Sequence, residues 1–278
     1  MKRRTFLLRA GAAAATGALA SGLGGFYTLS VEPRWIETVK RTVKFPRLPP
    51  ALNGLRICHL TDFHVGPYIK ANYIARAIQI ANGSKPDIVA LTGDFVSKSA
   101  RHADRCAQAL GELDAALGVF AVLGNHDFWT DADYVAKQPS DVGVMVLRDA
   151  GVMLTNGLYV AGTEDLWEGK PDIRKGLAGR GRNAFTVLLQ HNPDYFVTAA
   201  EAWYDIDVML SGHTHGGQVN VPGIGPILVP SRFGKKYAAG LFREGKLTFY
   251  VNKGLGAITP PVRFNCRPEV AILTLKAA

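Results

Sequence analysis

Cysteine is scarce in this chain and shows no pairing pattern. Cys58, Cys106 and Cys266 are scattered over 278 residues. No close-spaced pair suggests a zinc site, and an odd count argues against a disulfide framework. They read as free or buried thiols. Other absences narrow the function. There is no basic helix, zinc-finger spacing or RNP-like aromatic run, so no nucleic-acid-binding module is expected. His-Glu-x-x-His is missing, which removes that class of zinc peptidase. No solenoid-length repeat and no composition break divides the chain. The first 20 residues hold no acid, and Ala10 to Val31 hold no charge of either sign.

That uncharged start reads as an address. Lys2-Arg3-Arg4-Thr5-Phe6-Leu7-Leu8 resembles a twin-arginine export signal, and Ala18-Leu19-Ala20 offers the small residues a signal peptidase reads. As a helix, the run from Ala10 to Val31 would reach about 33 Å, enough for a bilayer core, although Ala and Gly make it a weak span. Residues 1–31 are therefore expected to be a cleaved signal or an N-terminal anchor, and 32–278 a single domain. The expectation is export through the twin-arginine machinery to the periplasm or cell envelope, with membrane-surface association possible. That route carries folded proteins, which suits an enzyme loaded with metal before it leaves. The remainder is ordinary globular chain: 47% of residues are hydrophobic and 20% charged. The net charge of +9 owes four units to Lys2, Arg3, Arg4 and Arg9, leaving 28 bases against 23 acids beyond them.

Apolar runs then alternate with helical spacing. Trp35–Phe45, Leu55–Leu60, Asp87–Leu91 and Val119–Leu123 read as strands, with helices over Ile69–Ala81 and Ala103–Leu117. This is βαβ spacing, and near-continuous apolar strands fit a sheet covered on both faces. Further strands are expected at 152–154, 158–161, 185–189, 208–210, 247–251 and 270–275. The later half has fewer clear helices and more Gly and Pro, so a second, more antiparallel sheet is expected there.

Polar residues gather just after these strands, where open α/β sheets place ligands. In order they are Asp62-Phe63-His64, Gly93-Asp94, Gly124-Asn125-His126-Asp127, His191 and Gly212-His213-Thr214-His215. Residues two apart in an extended segment share a face, so Asp62 with His64, and His213 with His215, can each point at one ion. Five of the seven histidines lie in these segments; His59 and His102 read as structural or surface residues. Carboxylate, amide and imidazole together suit Mn, Fe or Zn, and the lack of cysteine argues against a closed structural zinc site.

In this order the five segments resemble the calcineurin-like metallophosphoesterase superfamily, over Leu55 to about Gly217. The tail, with Gly216-Gly217-Gln218, Pro230-Ser231-Arg232, Pro261-Val262-Arg263-Phe264 and Arg267-Pro268-Glu269, is similar to its exported YkuE/YaeI-like bacterial phosphodiesterase branch. The resemblance implies an α/β fold: an αββα four-layer sandwich of two mixed sheets flanked by helices. It implies two metal ions, with Asp62, His64 and His215 on the first, Asn125, His191 and His213 on the second, and Asp94 bridging. His126 then faces the substrate as a non-ligand acid, and Asp127 orients its ring.

The expected function is hydrolysis of a phosphodiester or pyrophosphate link, with phospholipids and nucleotide-linked lipids among the candidate substrates, by attack of a metal-bridging hydroxide. The alternatives are a phosphomonoesterase using the same site and an inert exported metal-binding module. Arg232, Lys235, Lys236, Arg263 and Arg267 are candidate phosphate-binding cations, and Trp129 a candidate pocket floor.

Overall fold

The computed structural model describes residues 22–201 and 204–278. The arginine pair and the small-residue site of the expected export signal lie outside the described residues. No helix among the described residues is long and apolar enough to cross a membrane.

The chain opens with short helical turns, then β1 (Glu37–Phe45), β2 (Arg56–Leu60), α1 (Ala71–Gly83), β3 (Ile88–Thr92), α2 (Ala103–Leu110) and β4 (Val119–Val122). Next come α3 (Asn125–Phe128), α4 (Ala132–Asp141), β5 (Met145–Val146), β6 (Ala150–Met153), β7 (Leu158–Gly162), α5 (Ile173–Gly176), β8 (Phe185–Leu189), α6 (Phe196–Ala199) and β9 (Val208–Ser211). A small hairpin, β10 (Asn220–Val221) and β11 (Gly225–Pro226), precedes β12 (Gly240–Glu244), β13 (Leu247–Val251) and β14 (Glu269–Ala277). Two six-stranded sheets result, ordered β1-β14-β2-β3-β4-β5 and β12-β13-β9-β8-β7-β6.

Alternation along single strands explains how these sheets layer. On β3, Ile88 and Ala90 enter the core between the sheets, while Val89 and Leu91 pack under α1 and α2. On β9, Val208 and Leu210 join that central core and Met209 faces the opposite outer layer. Period-2 geometry thus lets a continuous apolar strand feed two cores at once. Helix α1 buries Tyr73, Ile74, Ala77, Ile78 and Ala81, a stripe at helical spacing. The outcome is the expected four-layer order of helices, sheet, sheet and helices.

Two readings of the helices need correction, and the second sheet has a feature of its own. The second sheet is the more antiparallel of the two, as expected, with antiparallel pairs at both edges, β12–β13 and β6–β7, against the single pair β14–β2 in the first; its centre, β13, β9, β8 and β7, is parallel. Its crossovers carry helices of four residues, too short for a periodic signal to show. Helix α2 stops at Leu110 because the chain must turn back to β4, and Leu117 N–H already donates to Asp87 O at 2.7 Å. Helix α4 went unread because Pro139 lies inside it; Asp131 caps it, accepting from Tyr134 N–H at 3.0 Å. At the other end of the chain, residues 22–31 form short helical turns with no buried side chain, tied to the domain where Arg263 N–H donates to Thr28 O at 3.0 Å.

The central core predicts a graded response to truncation. Leu189→Ala, at a fully buried position between the sheets, is expected to cost about 2–5 kcal/mol in urea unfolding. Leu228→Ala, at a position 74% exposed, is expected to stay within about 0.5 kcal/mol.

Candidate metal centre

The five segments meet at one rim, at the C-terminal ends of parallel strands from both sheets. Asp62 and His64 follow β2, Asp94 follows β3, and Asn125 and His126 open α3 after β4. From the second sheet, His191 follows β8, and His213 and His215 follow β9. All but His126 are buried.

They do not converge in the way extended geometry suggested. Asp62, His64, Asp94, His213 and His215 all have left-handed backbones, with φ between 49° and 70°. Thr214, between the two histidines, is right-handed helical. Each side chain is thus aimed by a residue of positive φ, a conformation that is costly for non-glycine residues and concentrates at functional sites. Neighbouring loops hold these residues in register: Asp62 N–H donates to Gly93 O and His64 N–H to Asp94 O, each at 2.9 Å. The motif glycines leave the room required. A Cβ on Gly124 would overlap Asp94 Oδ1 and sit 2.8 Å from His191 Cε1, and one on Gly212 would overlap Asp62 Oδ2.

Ligand atoms form two adjoining groups. In the first, His64 Nε2 and His215 Nε2 lie 3.0 Å apart, and Asp62 Oδ1 is 3.2 Å from His215 Nε2. With Asp94, these four offer ligand atoms all within 4.8 Å of one another and can hold a metal ion. In the second group, Asn125 Oδ1 is 2.9 Å from His213 Nδ1 and 3.1 Å from His191 Nε2. Asp94 Oδ2 stands between the groups, 3.4 Å from both His64 Nε2 and His191 Nε2. Its partner Oδ1 accepts His126 N–H at 2.9 Å, which fixes the carboxylate. His191 Nδ1 donates to Thr92 O at 2.6 Å, which turns Nε2 toward Asp94 and Asn125.

The electrostatics fit cation binding. Burial pushes His64 and His213 down to about 3, keeping both rings neutral. Burial also acts on His191, but the Asp94, Asp62 and Asp165 carboxylates outweigh it and raise that ring well above the ordinary range. For Asp62 and Asp94 burial opposes ionisation, yet the neighbouring imidazoles win and hold both low, Asp62 chiefly through His215 and Asp94 through His191. Two buried carboxylates and four imidazoles, two of them held neutral, converge their nitrogen and oxygen atoms on one small volume. This donor set therefore fits a metal.

His126 is the least enclosed member. Its ring lies 4.6 Å from the His64 ring, edge to face, and 4.5 Å from Trp129, which is half exposed. It is thus beside the ligands without forming part of either group. Asp127 does something other than orient that ring. Its carboxylate accepts Val96 N–H at 3.2 Å and Gly124 N–H at 3.0 Å, so it braces the loop backbone. Burial and Asp94 push it up to about 8.

The expected phosphate cations also have other engagements. Arg263 is fully buried, with its guanidinium donating to the carbonyls of Lys253, Gly254, Gly256 and Cys266. Arg267 stacks on Trp35, Arg232 on Phe233, Lys236 pairs with Glu244, and Lys235 donates to Ile224 O. His59 is a buried structural ring, 2.8 Å from Thr92 Oγ1. Trp167 was missed: it meets His213 edge to face at 4.2 Å from a turn that Asp165 secures, and no motif marks it.

Fold and donor set together define a calcineurin-like phosphoesterase, and the chain belongs to that family; the family model matches residues 55–217. Metallophosphoesterase YkuE of Bacillus subtilis (strain 168) is 34% identical, covering 100% of this chain and 98% of its own. Phosphodiesterase YaeI of Escherichia coli (strain K12) is also 34% identical, covering 99% of each. Family membership makes this a metal-dependent phosphoric ester hydrolase.

Close packing around the ligands predicts that one methyl group suffices to damage the centre. Gly124→Ala is expected to lower bound metal at least about tenfold, read by elemental analysis of the folded protein. Gly83→Ala, with nothing within 4 Å of the added carbon, is expected to leave metal content unchanged.

Proposed function

We propose that the chain is a dinuclear phosphodiesterase, cleaving a phosphodiester or pyrophosphate link. The observation that carries this reading is the position of Asp94 Oδ2, equidistant at 3.4 Å from one histidine of each ligand group. Asp62, His64 and His215 would hold one ion, Asn125, His191 and His213 the other, with Asp94 shared between them. When bound, a pair of Mn, Fe or Zn ions supplies water of lowered pKa and positive charge opposite the phosphoryl oxygens.

The chain's own side chains supply the rest. Asp62 is held in place by Thr61 Oγ1 at 2.8 Å and His213 N–H at 3.0 Å, so its free lone pairs keep one direction. His126, packed between His64 and Trp129, is placed to donate a hydrogen bond or proton to the leaving oxygen. Trp129 and Trp167, both half exposed, stand beside His126 and His213 and offer apolar faces to the substrate's organic arms. Exclusion of bulk water follows from the burial of every ligand side chain.

The diesterase reading is favoured by the name of the YaeI relative. A monoesterase using the same site is the competing outcome. Twin-arginine export to the periplasm or envelope belongs to the same proposal and is supported by residues 2–20. Cleavage after Ala20 would leave residues 22–31 on the mature chain.

Two experiments test the proposal. Turnover of bis-p-nitrophenyl phosphate is expected to exceed that of p-nitrophenyl phosphate and to vanish on chelation; the reverse order identifies a monoesterase. His126→Ala is expected to retain metal and to lose about 10²–10⁴-fold in kcat. Collapse of metal content in that variant would remove His126 from the leaving-group role.

A further inference from the structure

Large apolar side chains are exposed in two places that flank one segment near the metal centre. Leu23, Phe26 and Leu29 form an exposed row at i, i+3 and i+6 on the N-terminal helical turns. Ile224, Ile227 and Leu228 crown the β10–β11 hairpin, with Leu228 74% exposed. Residues 263 and 264 join the two patches: Arg263 N–H donates to Thr28 O, and Phe264 is tied to Gln218 and Asn220 through backbone bonds of 2.8 Å. Beside the hairpin, an apolar groove of about 280 Å³ runs between Val219, Leu228, Ile258, Pro260 and Val262 and ends on His215. Isolated exposed apolar residues are ordinary, but two clusters of them flanking an apolar groove that leads to a buried polar centre mark a docking surface.

Charge next to this rim selects its partner. Across the 257–261 loop, a cavity of about 410 Å³ holds Arg34, Lys70 and Arg76 along with Tyr68 and Tyr73. Leu29 and Pro261 form part of the cavity wall, so it adjoins both the exposed row and the groove. None of the three cations forms an ion pair with a carboxylate among the described residues. The uncharged run that begins at Ala10 also ends on this face, at Val31.

We infer that this face docks on the surface of an anionic lipid bilayer, with the hairpin and the N-terminal row entering the interface and Arg34, Lys70 and Arg76 meeting headgroup phosphates. Apolar side chains supply depth and the cations supply preference for anionic lipid, the combination that holds monotopic proteins at interfaces. The groove then opens the metal centre toward the lipid layer. This deepens the phosphodiesterase reading by naming where its substrate is met, and rests on that reading only for the chemistry that follows docking.

The test is co-sedimentation of the full chain with vesicles of phosphatidylglycerol and phosphatidylcholine, and with phosphatidylcholine alone. Wild type is expected to partition at least about tenfold more strongly onto the anionic vesicles. The double variant Ile227→Glu/Leu228→Glu is expected to lose at least about tenfold in partition with an unchanged thermal transition, because both positions are exposed. Arg34→Gln/Arg76→Gln is expected to lose the preference for anionic lipid while keeping part of the binding. The inference is overturned if the hairpin variant partitions like wild type. It is also overturned if light scattering shows a dimer that the hairpin variant splits, with no partition of wild type onto vesicles. Failure of the phosphoesterase reading appears separately, as no metal-dependent turnover of bis-p-nitrophenyl phosphate by wild type in the absence of vesicles.

Discussion

One carboxylate, that of Asp94, links the two halves of the rim. Its Oδ1 is committed to His126 N–H, and its Oδ2 lies between a histidine that follows β2 and one that follows β8. Those strands belong to different sheets, so the spacing of the ligand atoms depends on how the sheets pack. Phe120, Val122, Val187, Leu189 and Leu210 fill the interval between the sheets and set that spacing. Close-packed interiors transmit small volume changes, so the central core serves as the scaffold that fixes the distance between the two ligand groups.

Charge and backbone strain at this rim point the same way. Five left-handed non-glycine residues at about 1–3 kcal/mol each are a considerable local cost. Two ionised carboxylates sit in the same buried volume as four imidazoles. Neither feature helps the fold alone, and both become favourable when a cation satisfies the converging lone pairs. A metal bound by the folded chain and not by the unfolded one stabilises it by mass action, so stability and metal occupancy are coupled here. Gly93, with φ of +88°, lets its loop pack against the backbone of Leu123 and Gly124, and Gly124 in turn lies against Asp94 and His191.

Much of this was legible in the residues. The strands at 185–189 and 247–251 end where their apolar runs end, because a strand buried on both faces leaves no doubt about its limits. All seven ligand candidates are brought to one rim, since each directly follows such a strand. The reason given for their convergence was wrong in detail. Asp62-x-His64 and His213-x-His215 meet through left-handed turns, and φ leaves no mark in a sequence unless glycine occupies the position. Asp127 was misread because proximity in sequence to His126 suggested contact with its ring, whereas a residue at the third position of a helix reaches back to the backbone before it. Short helices such as α5 and α6 have no period to read, which is why the parallel centre of the second sheet was hidden.

Arg263 carries the remaining lesson, about a cation whose role its sequence context conceals. A cation in a Gly- and Pro-rich tail reads as a phosphate ligand, yet its side chain binds carbonyls from 253 to 266 and so builds the wall behind Asp62. Gly256 N–H donates to Asp62 O, and Cys266 Sγ reaches His215 O at 3.2 Å, so this wall touches two of the ligand residues. The same loop presents Ile258, Pro260 and Val262 outward as one side of the groove. A single buried guanidinium thereby fixes both the backs of the ligands and the apolar approach to them. That cation is thus spent on structure, while Trp129 and Trp167 stand half exposed with their rings against His126 and His213.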